Sequence, residues 1–511
     1  MLRHFPLLPN AAVFDSLMSI PFVDRLKNAF AKSRFANPDS AVRHVSLIAG
    51  GTVIAQAVGI LTIPIVSRIY SPADYGIMAV YASVIAILGS ISGFRYHLAI
   101  TLPKDERYAK ALVFLSLGLQ TVFVFFLAIL LFVAGEKLLT QLSLPELIPY
   151  RALIPLGLLV TGTYLVLTQW AVREKLFSTI ALTKITQSLS GTIAKICLGL
   201  LGIRPLGLLI GTIVAQGGGI TTLLRSLLKK NGVPRSKRSD IQRIALRYWK
   251  FPLHGTLASL LDTTGSRIVP IFLVACYDPQ IAGLFAMAQN LLSLPASFVG
   301  QAMGQVFMQR ASSARYDGNI QALALRTYTS LLHIGFFPIL LISLFAPFLF
   351  SIILGEHWVE AGKYAQLLGP WVAFTFAYSP ITLLYIILDR QDVFLLFEGI
   401  QLALITSSFL FGYYMNSALL TIALISATAL CAYLMRATEL LASCGISGKK
   451  TLLITAKIVI QYSILAILPP LTLSLNLKPT LTIVITMLAV TAYILRVYSF
   501  LNLNHTKKIG A

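Results

Sequence analysis

Apolar runs long enough to cross a bilayer recur along nearly the whole chain, and that recurrence constrains its fold more than any other feature. A helix needs about 20 apolar residues to traverse the hydrocarbon core. By that measure we read about fourteen segments: 45–67, 77–99, 110–134, 149–171, 179–202, 205–227, 252–276, 281–306, 328–354, 364–388, 392–413, 416–440, 452–474 and 479–500. The fifth and sixth are joined by a very short turn at Gly202-Ile203-Arg204. Composition agrees: 57% of the 511 residues are hydrophobic and only 12% are charged, about half the charged share of a soluble domain. The expected fold class is an all-α polytopic membrane protein.

Charge sets the orientation. With the N-terminus in the cytoplasm and the spans alternating, the cytoplasmic segments hold 33 Lys/Arg and 11 Asp/Glu, and the opposite side six of each. The whole net charge of +22 therefore falls on one face, as the positive-inside rule requires. Both termini are expected in the cytoplasm. The densest basic run, "RSLLKKNGVPRSKRSDIQRIALRYWK" at 225–250, reads as an orientation signal touching anionic headgroups rather than a nucleic-acid site. The first 43 residues lack the uninterrupted apolar core of a signal peptide, and Met18 is a plausible start. The four cysteines show no paired spacing and read as small packing residues.

The chain also repeats itself. "SPADYGIMA" at 71–79 and "DPQIAGLFA" at 278–286 both read Pro-x3-Gly-x2-Ala, and each follows a Pro-Ile pair, Pro64-Ile65 or Pro270-Ile271. The first copy links spans one and two, the second spans seven and eight. Two six-helix bundles in the same orientation are implied, related by an axis along the membrane normal. Each Pro should open a helix, and each Gly should permit close helix approach. The expected divisions are a cytoplasmic segment 1–44, an N-lobe 45–227, a basic linker 228–251, a C-lobe 252–440, two further spans in 441–500, and a cytoplasmic tail 501–511. Two such bundles leave a central cleft that rocking exposes to either side.

The first hairpin carries a family pattern. "IPIVSRIYSPADYGIMAVYASVIAILGSISGFRYHLAITLPKDERYAKAL" contains Arg68, Tyr70, Ser71, Pro72, Tyr75 and Gly76, then Arg95, Tyr96, Ala99, Ile100, Leu102, Pro103, Lys104 and Asp105. This resembles the opening of the polysaccharide-exporting branch of the multidrug/oligosaccharidyl-lipid/polysaccharide (MOP) superfamily, and within it the Wzx-type O-antigen flippases of lipopolysaccharide biosynthesis. The resemblance spans roughly 44–500. It implies movement of an undecaprenyl-diphosphate-linked oligosaccharide from the cytoplasmic to the periplasmic leaflet of a bacterial inner membrane. A polysaccharide polymerase is then a candidate partner.

Charges inside spans are costly and usually functional. Span seven, "FPLHGTLASLLDTTGSRIVPIFLVACY", carries Asp262 and Arg267 five residues apart, so the two point apart on the helix. The repeat places them opposite Gln56 and Leu61 of span one. Arg267 is the first candidate for contact with the diphosphate, with an interhelical salt bridge as the structural alternative. Lys195 in span five either snorkels outward or meets the anionic headgroup. Arg95, at the end of span two beside His97, either greets a diphosphate at the cytoplasmic mouth or anchors the span. Asp262 and Glu398 are candidates for coupling to a proton or sodium ion or for salt bridges, Glu398 with the further option of facing cytoplasmic water. In span ten, Pro380 should kink the helix.

The sequence has no Gly-x4-Gly-Lys-Ser/Thr loop for a nucleotide and no cluster with metal-ligand spacing, so no cofactor is implied and no enzyme activity is expected. A cation- or drug-exporting antiporter of the related multidrug branch is the alternative reading; Lys195 and Arg267 weigh against it. A membrane-embedded polymerase would need a long outer loop, whereas those near 135–148 and 355–363 are short.

Overall fold

The computed structural model describes residues 41–228, 238–316, 318–474 and 479–509. The expected cytoplasmic segment 1–44 lies almost wholly outside the described residues, as does the centre of the basic linker. Every expected span is helical. The helices are α1 (Ala41–Ile69), α2 (Pro72–Ser92), α3 (Glu106–Gln141), α4 (Leu153–Arg173), α5 (Phe177–Leu200), α6 (Leu206–Gly217), α7 (Ile220–Leu228), α8 (Arg238–Arg247) and α9 (Thr256–Cys276). They continue with α10 (Pro279–Tyr316), α11 (Ile320–Leu344), α12 (Ala346–Leu354), α13 (Val359–Tyr378), α14 (Leu384–Ile387), α15 (Gln391–Tyr414), α16 (Ala418–Ser443), α17 (Gly448–Ser474) and α18 (Pro479–Ile509). Among the described residues, twelve stretches are long and apolar enough to cross a membrane. The other two expected spans are α5 and α10, of 24 and 38 residues; both are long enough to cross a bilayer at 1.5 Å per residue.

Some boundaries move for local reasons. Span two starts five residues early, because Ser71 caps it: its hydroxyl accepts from Asp74 N–H, and the Asp74 carboxylate accepts from Ser71 N–H at 2.8 Å. This is a capping box with Pro72 in the first turn. Span two also ends early, at Ser92, and Phe94 and Arg95 follow with positive φ. Span six breaks at Gly217–Gly219, with Gly219 at φ +92°, a region open to a residue without a Cβ. Span nine is divided into α11 and α12. At Pro380 the expected kink takes the form of a 3-10 stretch, Ser379–Leu383, where the ring removes a backbone donor.

Helix partners run in the same order in both halves. In the first, α1 packs on α5, α5 on α6, α6 on α4, and α4 on α2 and α3; in the second, α9 packs on α15, α15 on α16, α16 on α13, and α13 on α10 and α11. α17 and α18 pack together, and α17 docks on α11.

The two echoed motifs face each other. α2 and α10 cross at their first turns, so that a Cβ on Gly76 would run into the Pro279 carbonyl and one on Gly283 into the Pro72 carbonyl. Glycine allows this mutual backbone approach. Each Pro opens its helix as expected, and Asp278 accepts from Ile281 N–H at 2.8 Å to cap the second. Around this seam, Trp358 is fully buried and donates to the Ser67 carbonyl at 3.0 Å, and Tyr75 meets its ring edge-on at 5.1 Å.

Candidate functional site

The opposite end of the same interface carries charged residues. The left-handed turn after α2 carries Arg95 out of the helix and lays its stem over Gly255, 3.6 Å from where a Cβ would stand. Asp262 follows on α9. Burial depresses the Arg95 guanidinium, and Asp262 partly offsets that. Burial, with Arg95 alongside, pushes the His97 imidazole down to about 4.

Behind α9 lies a buried ion pair. Arg436 on α16 donates to Glu398 on α15 at 2.8 Å and to the Phe397 carbonyl at 2.7 Å. The two residues are 2% and 6% exposed. α9 reaches the pair through Gly265, whose missing Cβ would sit 3.5 Å from the Glu398 carboxylate. Tyr433 lies beneath the guanidinium, 5.4 Å from ring centre to Cζ, a cation–π distance. α9 and the residues leading into it thus lie between Arg95 of the first half and the Arg436–Glu398 pair of the second.

Of the expected candidates, Arg95 and Glu398 pack at Gly255 and Gly265, and Asp262 lies on α9 between those two glycines. Glu398 does not face water; its carboxylate is turned inward onto Arg436, because an unpaired carboxylate at that depth would be strongly penalised. Arg267 is exposed on α9 and, as its spacing from Asp262 implies, does not pair with it; no described acid bridges to it. Lys195 sits elsewhere: its stem crosses Gly211 of α6, and its carbonyl accepts from Tyr70 at 2.7 Å. Sequence reasoning missed Arg436, which the charge count assigned to the cytoplasmic face. A base seven residues before the end of α16 was the available signal.

A second polar region was also missed. A cavity of about 460 Å³ in the first half is lined by Gln56, Thr161, Tyr164, Lys184, Gln187 and Gln216, among others. Lys184 lies 5.1 Å over the Tyr164 ring, and Gln187 donates to the Gln216 carbonyl at 3.2 Å. Gln56, the expected repeat-mate of Asp262, lines it.

Helices arranged in two like-ordered halves, sealed at one end and charged at the other, define a class of membrane protein. Residues 65–363 match the family described as polysaccharide biosynthesis protein, and the chain belongs to that family. No curated protein is similar to it at a significant level. Among solved structures, the lipid II flippase MurJ in an inward closed conformation is similar at 13% identity and TM-score 0.70, covering 89% of this chain and 99% of MurJ. A MOP superfamily transporter from Pyrococcus furiosus matches at 14% identity and TM-score 0.55, covering 79% of this chain and 97% of that one. A MATE transporter in complex with MaL6 matches at 15% identity and TM-score 0.51, covering 78% of this chain and 96% of that one. The expected polysaccharide-biosynthesis family is borne out by that match, and the fold is the one that these transporters share.

Proposed function

We propose that this protein flips an undecaprenyl-diphosphate-linked oligosaccharide from the cytoplasmic to the periplasmic leaflet of a bacterial inner membrane, by alternating access. The observation that carries the reading is the asymmetry of the interface between the halves. One end is closed by backbone contact at Gly76 and Gly283, and at the other Arg95 packs at Gly255, beside the helix that carries Asp262. In the orientation that puts most Lys and Arg in the cytoplasm, the closed end is periplasmic and the charged end is the cytoplasmic mouth. A lipid diphosphate arriving there meets Arg95, then Arg267, exposed further along α9. Arg suits a phosphate because its planar fork donates two parallel hydrogen bonds. Asp262 releases Arg95 to the incoming anion and repels that anion in turn, which would favour separation of the mouth. An anion leaving an inside-negative cell gains about 2.3 kcal/mol per charge per 100 mV, so the membrane potential can bias export. Proton or sodium coupling, if present, falls to Asp262, since Glu398 is already held by Arg436.

The test is leaflet transfer of a fluorescent lipid-diphosphate oligosaccharide in vesicles holding purified protein. Wild type should transfer it, Arg267→Ala should not while still accumulating normally, and Arg267→Lys should retain part. Transfer no faster than in empty vesicles would refute the function. Normal transfer by Arg267→Ala would remove Arg267 from the path.

A further inference from the structure

A cavity of about 1080 Å³ lies apart from the charged interface, between α11, α17 and α18. Three cations line it, one from each helix: Arg326, Lys457 and Arg496. All three are exposed, and all three lie within stretches apolar enough to span a membrane. No acid lines the cavity, and no described acid pairs with Lys457 or Arg496. Its other lining is mostly apolar, with Ile454, Ile458 and Leu495 beside Gln461 and Ser499. One wall is tied across helices: His333 is hydrogen-bonded to Tyr462 at 2.7 Å and lies against the Phe500 ring at 4.2 Å.

Helix alternation places this cavity at the same end as the basic segment 225–250. Exposed cations within an apolar span are costly unless an anion meets them. A soluble phosphate does not need a wall of Ile and Leu; a phospholipid does. Basic pockets between transmembrane helices suit anionic headgroups. We propose that this cavity binds the phosphate headgroup of an anionic phospholipid of the cytoplasmic leaflet, with the acyl chains along α17 and α18, and that the lipid fastens these two helices to α11.

The inference stands independently of the transported substrate, because its test reads lipid binding and not transport. The full-length protein is purified in detergent. Native mass spectrometry then follows retention of phosphatidylglycerol and of phosphatidylcholine by wild type and by Lys457→Gln/Arg496→Gln. Wild type should retain phosphatidylglycerol preferentially. The double variant should hold it about thirtyfold more weakly, two cations contributing about 1 kcal/mol each. Added phosphatidylglycerol should raise the Tm of wild type and not of the variant, while the two melt alike in phosphatidylcholine; that control separates lost binding from lost folding. Equal retention of the two lipids by wild type, or undiminished phosphatidylglycerol on the variant, would overturn the proposal. So would equal stabilisation by soluble pyrophosphate or by the lipid-diphosphate oligosaccharide, which would assign the cavity to another phosphate source.

Discussion

The two ends of the interface between the halves are held by different physics. At the closed end, Gly76 and Gly283 bring α2 and α10 together backbone to backbone, with Trp358 and Tyr75 filling the edge. Such packing is steep: a small separation removes it, and an added methyl group cannot be absorbed. At the other end, Arg95 and Asp262 place opposite charges on the two sides of the seam, and their attraction weakens gradually with distance and can be transferred to an incoming anion. A seam that is either shut or open, opposite a mouth that responds to charge, is what a rocking pair of bundles requires.

The largest expected effect lies behind the mouth. Arg436→Ala leaves Glu398 buried without its partner and should cost about 3–5 kcal/mol, read as a lower Tm and membrane abundance. Arg436→Ala/Glu398→Ala should recover much of that, because no lone charge remains. Failure of the double variant to recover would show that the pair holds α15 to α16 by packing and not by charge compensation. Next comes the seam. Gly76→Ala or Gly283→Ala should destabilise the closed end by about 1–3 kcal/mol. Spin labels at Ser71 and Gln280 would then show a longer distance population than in wild type. Unchanged distances would break the contrast, since the glycines would not be what closes the seam.

Smaller effects sharpen the comparison at the charged end. His97 is held near 4 against an ordinary value of 6.5, so the unfolded chain binds more protons between those values. Stability should therefore be full above about pH 6.5 and fall as pH drops toward 4, by about 1–2 kcal/mol at pH 5. His97→Gln should flatten that part of the Tm–pH curve; an unchanged slope would mean another group titrates there. Least of all, Arg95→Ala and Asp262→Ala should show a coupling of about 0.5–1 kcal/mol in a double-mutant cycle on Tm.

Much of the helical framework was legible, because apolar length and the two Pro-x3-Gly motifs are local signals. Ser71 with Asp74 marks the start of α2 in the sequence itself. What the sequence did not disclose are pairings across long separations. Arg95 comes near α9, and Arg436 meets Glu398, only because three helices and the turn after α2 converge, and no spacing rule joins them. Arg436 was hidden by its proximity to the end of α16, where a base ordinarily snorkels. Arg267 was singled out for its cost, and its lack of a described partner keeps it a substrate-contact candidate. The meeting of the two echoed motifs was not anticipated either: the repeat was visible, but not that its copies touch.

The most direct test of alternating access pins the seam. Cysteines at Ser71 and Gln280, on either side of it, can be joined by a short reducible cross-linker in vesicles carrying the fluorescent lipid-diphosphate oligosaccharide. Leaflet transfer should proceed before linking, stop while the seam is tied, and resume on reduction. Transfer that continues at full rate through a quantitatively cross-linked seam would contradict the account.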